Sequence, residues 1–181
     1  VTKQTFLLRY FNVLNADCVS GIDAKIPANE ERTHNPVAEA DALINGYVGV
    51  NGGPAMNYRD IDRASYSPIS DEISVPKPSA FLSGNGFYLT VFHEMTHSTG
   101  HKSRLDRFKD SNALGFASDS YSKEELTAEI GAAMLATDCG IMSQQTWDNS
   151  AAYVKAWRDR ISSDNGLLLS AVSKAEKAYN L

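Results

Sequence analysis

The five residues HEMTH at positions 93–97 are the most informative stretch of this sequence. On an α-helix, side chains at positions i and i+4 lie on the same face, so His93 and His97 can direct both imidazoles to one tetrahedral metal ion. Glu94 directly follows the first histidine, where its carboxylate can reach a metal-bound water and act as a general base. The pattern therefore predicts a helix that supplies two zinc ligands and a base.

The residues around this motif are apolar, which indicates that the helix is buried. They are Leu89, Val91, Phe92 and Met95. Buried histidines and a buried carboxylate need partners, and one metal ion would serve all three side chains. The alternative, a surface helix that carries two histidines by coincidence, is disfavoured by these apolar neighbours.

The composition is that of one ordinary globular domain. The 181 residues are 43% hydrophobic and 22% charged, and the net charge is −5. No run approaches the roughly 20 apolar residues that cross a bilayer, so no membrane association is expected. The first residues lack the pattern of a signal peptide, and because residue 1 is valine we expect the chain to be a piece of a longer protein. The acidic charge disfavours DNA binding by this chain alone, although residues 102–109 carry a small basic cluster.

The two cysteines, Cys18 and Cys139, make neither a metal-binding pair nor a disulfide framework. They predict reduced thiols in a cytoplasmic protein.

The order of the predicted elements indicates an α+β domain whose small sheet packs on the motif helix. Asn35 and Pro36 suggest the start of a helix that ends at Gly46. Strands are predicted at 6–14, 47–50, 64–66 and 72–75, and helices at 87–98, 122–135, 151–161 and 167–179. Two stripes at helical spacing predict core packing: one of Tyr153, Trp157 and Ile161, the other of Leu168, Val172 and Ala175.

A catalytic zinc site usually takes a third protein ligand, and the sequence offers several. His34, His101 and a downstream carboxylate are the candidates. Gly100 stands between the motif helix and His101. Its position matches metzincins, but the third histidine of that pattern would fall at Ser103, which excludes it.

Three glutamates at the start of the second long helix are the carboxylate candidates: Glu124, Glu125 and Glu129. This arrangement resembles that of gluzincins. The resemblance implies that Glu125 is the third ligand and that Glu129 is an outer carboxylate orienting a histidine. The competing interpretation is a capping box, in which Glu125 reaches back to the backbone N–H of Ser122.

The wider sequence resembles the zincin-like metallopeptidase domain of ArdC-type antirestriction proteins and of the polyvalent proteins of phages and conjugative plasmids. The matching stretches are YFNVLNAD (10–17), ASYSPISDEISVP (64–76), FHEMTHSTGHKSRLDR (92–107), SKEELTAEIGAAML (122–135) and AAYVKAWRDRI (151–161). The resemblance implies a zincin domain over 22–181, and it implies that residues 1–21 correspond to the trailing edge of an N-terminal single-strand DNA-binding domain. Contact with single-stranded DNA would then depend on that missing domain.

The resulting functional hypothesis is zinc-dependent hydrolysis of a protein or peptide, with Glu94 as the base. Tyr66, Tyr121, His101 and Arg104 are candidate donors to the oxyanion. By resemblance to zincins, the strand at 72–75 is expected to be the edge that binds substrate. The alternative is a non-catalytic module, stabilised by zinc, that binds a partner protein or acts in antirestriction with a DNA-binding domain.

Overall fold

The HEMTH motif lies on a helix that is packed between a three-stranded sheet and a second long helix. The computed structural model describes residues 33–50, 52–109, 119–144, 147–148, 150–151, 155 and 165–181. All of them belong to the compact unit formed by residues 32–181. The elements are α1 (Ala38–Tyr47), β1 (Ala55–Arg59), β2 (Ser65–Ser67), β3 (Glu72–Pro76), a short 3-10 helix (Pro78–Ala80), α2 (Gly84–Ser98), α3 (Asp119–Asp138) and α4 (Asn165–Tyr179).

The sheet has the strand order β1-β3-β2. β1 is parallel to β3, with Ala55 opposite Glu72, whereas β2 is antiparallel to β3, with Tyr66 opposite Ile73. The prediction that the strand at 72–75 is the edge is therefore wrong, because both sides of that strand are already hydrogen-bonded. Ile73 and Val75 are fully buried, and they belong to the same core as the apolar residues of α2.

Helix α2 begins three residues before its predicted start. Ser83 is the N-cap, and its hydroxyl accepts a hydrogen bond from the Gly86 backbone N–H at 3.1 Å. Ser83 and Gly86 thus form the cap and part of the first turn of this helix. The apolar residues Phe87, Tyr88, Val91, Phe92 and Met95 are buried, as the sequence predicted for this helix.

The first helix differs from its prediction at both ends. Its N-cap is Val37, without a side-chain cap bond, so Asn35 does not begin it. Gly46 lies within the helix and Tyr47 is its last residue, so the predicted strand at 47–50 is wrong. The chain turns at Gly49, whose φ of +73° lies in the left-handed region that glycine tolerates.

Helices α3 and α4 correct two further predictions. The backbone of α3 is helical from Asp119, so Ser122 is inside the helix and the capping-box interpretation is excluded. On α4, alanines form the buried face, namely Ala171, Ala175 and Ala178, whereas Val172 is exposed. Small side chains let this helix lie close to its neighbours, which the apolar spacing alone did not indicate. The predicted strand at 6–14 lies outside the described residues. So does most of the predicted helix at 151–161, including its aromatic stripe.

Cys139 is a free, buried thiol, while Cys18 lies outside the described residues. Within the part of the chain that the structure describes, no helix is both long enough and apolar enough to cross a membrane.

Helix α3 approaches α2 closely at Gly131, which predicts a cost for any larger residue there. A β-carbon on Gly131 would lie 2.6 Å from Thr96 Cγ2, and the Thr96 side chain is buried and hydrogen-bonded to the Phe92 carbonyl. We expect Gly131→Ala to lower the free energy of unfolding by about 1–3 kcal/mol, because the overpacked helices must move apart. Urea unfolding followed by circular dichroism measures this.

The matched control is Gly46→Ala, which makes the same change inside α1, where the new β-carbon meets nothing within 4 Å apart from its chain neighbours and the backbone of its own helix. It should raise the free energy of unfolding by about 0.5–1 kcal/mol, since alanine is the better helix former. Equal effects of the two substitutions would show that the close approach at Gly131 is not limiting.

Candidate metal centre

Helices α2 and α3 bring His93, His97 and Glu125 together. The Nε2 atoms of the two histidines are 3.1 Å apart. His93 Nε2 lies 3.5 Å from Glu125 Oε2, and His97 Nε2 lies 3.3 Å from Glu125 Oε1. One donor atom from each of the three residues lies within 4.8 Å of the donor atoms of the other two. Donors bound tetrahedrally to zinc at about 2.0–2.1 Å lie about 3.3 Å from each other, so this donor set fits such an ion.

A second carboxylate faces the other ring nitrogen of each histidine. Glu129 Oε2 lies 3.4 Å from His93 Nδ1, and Glu124 Oε1 lies 3.5 Å from His97 Nδ1. Such outer carboxylates hold the ring orientation and the tautomer of metal-binding histidines. The position of Glu129 is the one that the resemblance implied, whereas the position of Glu124 behind His97 was not foreseen. The cluster of three glutamates in the sequence was its only signal.

Burial and opposite charges act against each other at these histidines. Burial tends to lower the pKa of His93, but the Glu125 and Glu129 carboxylates outweigh it and raise that pKa to about 10. Burial also tends to raise the pKa of Glu125, yet the two histidines hold it far below its usual range. Because metal ligation needs a neutral imidazole, protons compete with a metal ion for His93 and His97.

Glu94 is buried at the floor of a cleft next to this donor set. Its side chain lines a cleft of about 710 Å³ together with His93, His97, Glu125 and residues 63–68, which contain β2. Burial raises the pKa of Glu94, and the two nearby histidines oppose that shift. Among the described residues, no lysine or arginine lies within ion-pair distance of Glu94. The Glu94 carboxylate thus lines the cleft beside the donor set, with the Tyr66 backbone N–H and the two histidines as its neighbours.

A known protein family matches the part of the chain that carries these residues. The model of the zincin-like metallopeptidase family matches residues 50–174, which include every residue of the metal centre. The chain belongs to this family. The resemblance drawn from the sequence and the predicted α+β zincin-like fold are therefore both confirmed.

This zincin-like chain is similar to a plasmid antirestriction protein and to a DNA primase. The DNA primase TraC of Escherichia coli is 32% identical over 98% of this chain, which spans 12% of that protein. The antirestriction protein ArdC of the R388 plasmid is 37% identical in its Mn(II)-bound crystal structure, with a TM-score of 0.62 over 82% of this chain and 53% of ArdC. Its metal-free structure is 36% identical, with a TM-score of 0.62 over 92% of this chain and 57% of ArdC. The chain thus spans about half of ArdC and a small part of TraC.

The side chain of Arg104 connects three segments near the centre rather than pointing to a reacting atom. It is 5% exposed and forms an ion pair with Asp71 through both terminal nitrogens. It also donates to the carbonyl oxygens of Ser98 at 2.9 Å and Gly52 at 2.6 Å. Arg104 therefore ties the turn between β2 and β3 to the end of α2.

Two other candidate oxyanion donors are bonded within the protein. The Tyr66 hydroxyl donates to Asp71 Oδ1 at 2.8 Å, and His101 Nδ1 lies 2.7 Å from Ser103 Oγ. The side chain of Tyr121 lies outside the described set. Neither His101 nor His34 joins the metal-ligand cluster among the described residues, and His34 Nε2 lies 3.0 Å from the Phe81 carbonyl oxygen.

The basic cluster at 102–109 is not a basic surface patch. The side chains of Arg104 and Arg107 are only 5% and 6% exposed, and each is paired with a carboxylate. Two of the four positive charges in this cluster are thus buried and paired with carboxylates.

Proposed function

We propose that this domain is a divalent-metal-dependent peptidase with His93, His97 and Glu125 as metal ligands and zinc as the metal. The observation that carries the proposal is Glu94, a buried carboxylate that lines the same cleft as the three donors and has no lysine or arginine within ion-pair distance among the described residues. A purely structural metal site has no need of such a group.

When bound, a divalent metal lowers the pKa of a water molecule toward neutrality and polarises the scissile carbonyl. Glu94 then acts as the general base that accepts the proton of the attacking water, and it delivers that proton to the leaving amine. Its raised pKa suits a group that must both take up and release a proton near neutral pH. Glu129 and Glu124 hold the rings of His93 and His97 in place during this exchange.

Substrate would lie along β2, which is the sheet edge that lines the cleft. Only one side of β2 is paired with β3 in the described sheet, and residues 65–67 face the same cleft as Glu94. An extended peptide can add to such an edge through backbone hydrogen bonds. This replaces the central strand β3, which the sequence had suggested.

The related ArdC structures favour a catalytic over a structural metal. The Mn(II)-bound and metal-free forms of ArdC match this chain with the same TM-score of 0.62. In that relative the shared fold is present with and without the ion. A metal that served only to hold the fold together would be expected to be indispensable to it.

The experiment is a cleavage assay on a proteome-derived peptide library read by mass spectrometry. Protein stripped with a chelator should cleave nothing, and adding Zn²⁺ or Mn²⁺ should restore cleavage. His97→Ala protein incubated with the same metal serves as the inactive control, because it lacks one of the proposed ligands. A library left intact by metal-loaded wild-type protein, with a folded circular dichroism spectrum, would contradict the peptidase proposal.

A second candidate is a non-catalytic role in antirestriction, which the similarity to ArdC favours. In that case a DNA-binding domain, to which residues 1–21 would belong, supplies the contact with single-stranded DNA. The net charge of −5 and the buried Arg104 and Arg107 predict weak binding by this chain alone. Band shifts with single-stranded DNA at physiological salt should show no complex at micromolar protein, and a tight complex would contradict the dependence on a separate DNA-binding domain.

A further inference from the structure

Arg107 makes a dense set of buried contacts directly behind the metal centre. Its Nε donates to Glu124 Oε2 at 3.1 Å and one terminal nitrogen donates to Glu124 Oε1 at 2.6 Å, so the guanidinium grips the carboxylate as a fork. The remaining donors reach the Thr99 hydroxyl at 2.6 Å and the Thr96 carbonyl at 2.7 Å. The side chains of Arg107 and Glu124 are only 6% and 10% exposed.

The carboxylate oxygen that receives the shorter of these bonds is also the one that faces His97. Glu124 Oε1 lies 3.5 Å from His97 Nδ1, and the Nε2 atom of the same ring belongs to the donor set. A two-point fork fixes both the position and the plane of a carboxylate, which a single contact does not. Arg107, Glu124 and His97 therefore form a continuous chain from the end of α2 to the metal position.

We infer that Arg107 is a positioning residue of the metal centre: it locks the Glu124 carboxylate, which in turn fixes the ring of His97 for metal binding. The inference rests on the proposed metal site. It assigns a role to the loop that follows α2, because Arg107 bonds the last turn of that helix and α3 at once. Outer residues of this kind commonly change metal affinity about 10–100-fold.

Arg104 provides a matched control in the same loop. It too is buried, forks onto a carboxylate and donates to a carbonyl at the end of α2, but its carboxylate is Asp71, which faces no metal-ligand histidine. A general structural role is thus shared by both arginines. Only Arg107 is connected to a ligand.

The test compares wild-type protein with Arg107→Met, Arg107→Lys, Arg104→Met and Glu124→Gln. Zn²⁺ affinity is measured by competition with a chromophoric chelator, and the visible spectrum of the Co²⁺-loaded protein reports the ligand geometry. Thermal unfolding of the metal-free proteins is followed by circular dichroism. Arg107→Met should weaken Zn²⁺ binding about 10-fold or more and alter the Co²⁺ bands. Arg107→Lys should fall between it and wild type, because lysine keeps the charge and loses the fork.

Arg104→Met should lower the melting temperature while leaving the Zn²⁺ affinity and the Co²⁺ bands unchanged. Adding Arg107→Met to Glu124→Gln should cost little more affinity than Glu124→Gln alone, since both changes break the same chain. The inference is overturned if Arg107→Met, or Arg107→Lys where the former does not fold, binds Zn²⁺ and Co²⁺ as wild type does. Failure of wild-type protein to bind either ion would instead overturn the metal site itself.

Discussion

Glu94→Gln should reduce the kcat/KM of the metal-loaded protein about 10²–10⁴-fold, the usual contribution of a general base, while the metal content stays at the wild-type level. Glutamine keeps the size of the side chain and its place in the cleft but cannot accept a proton. Glu94 is 8% exposed and is not among the three clustered donors, so we expect metal binding to be retained without its carboxylate. Cleavage of a fluorogenic peptide found in the library, with metal content by mass spectrometry, measures both quantities.

The control for this substitution is Glu39→Gln, which makes the same chemical change on the exposed side of α1. It should leave both the metal content and the rate unchanged. Glu94→Gln protein that cleaves as fast as wild type would remove Glu94 from the mechanism. Loss of metal together with activity would mean that Glu94 acts as a ligand instead.

Glu125→Gln should weaken Zn²⁺ binding by more than about 100-fold, which exceeds the usual effect of losing an outer carboxylate. A neutral amide is a poorer zinc donor, and both carboxylate oxygens of Glu125 face the ring nitrogens that would share the ion. Competition with a chromophoric chelator measures the affinity at a fixed pH, because protons compete for the same imidazoles.

Glu124→Gln and Glu129→Gln are the matched controls, since both glutamates lie on the same helix and contact the same histidines from behind. Each should cost about 10–100-fold in affinity. A larger loss for either of them than for Glu125→Gln would reassign the third ligand.

The pairing of His93 and His97 was predictable because it depends on one local spacing on one helix. The choice of Glu125 among three acidic residues was not. It came from the resemblance to gluzincins, and the distances from its carboxylate oxygens to both histidines favour that choice. The capping-box alternative failed because the backbone of α3 is helical from Asp119, three residues before Ser122. The motif itself does not reveal that the helix begins earlier.

Two features that depend on contacts between distant parts of the chain could not be predicted from the sequence. The alternating pattern of residues 72–75 indicated a strand, but whether it lies at the centre or the edge is set by the pairing of β1 and β2 with it. The sequence indicated a basic cluster at Arg104 and Arg107, because nothing near them in the chain reveals that Asp71 and Glu124 are their partners. That these two arginines are buried becomes clear only when their carboxylate partners are known.

The most direct test is a crystal structure of the zinc-loaded protein with anomalous data collected at the zinc edge. We expect one anomalous peak at about 2.0–2.2 Å from His93 Nε2, His97 Nε2 and a Glu125 oxygen, with Glu94 in the cleft beside it and not bound to the ion. An ion held by Glu124, Glu129 or His101 in place of Glu125, or an ion that also takes Glu94 as a ligand, would contradict this account.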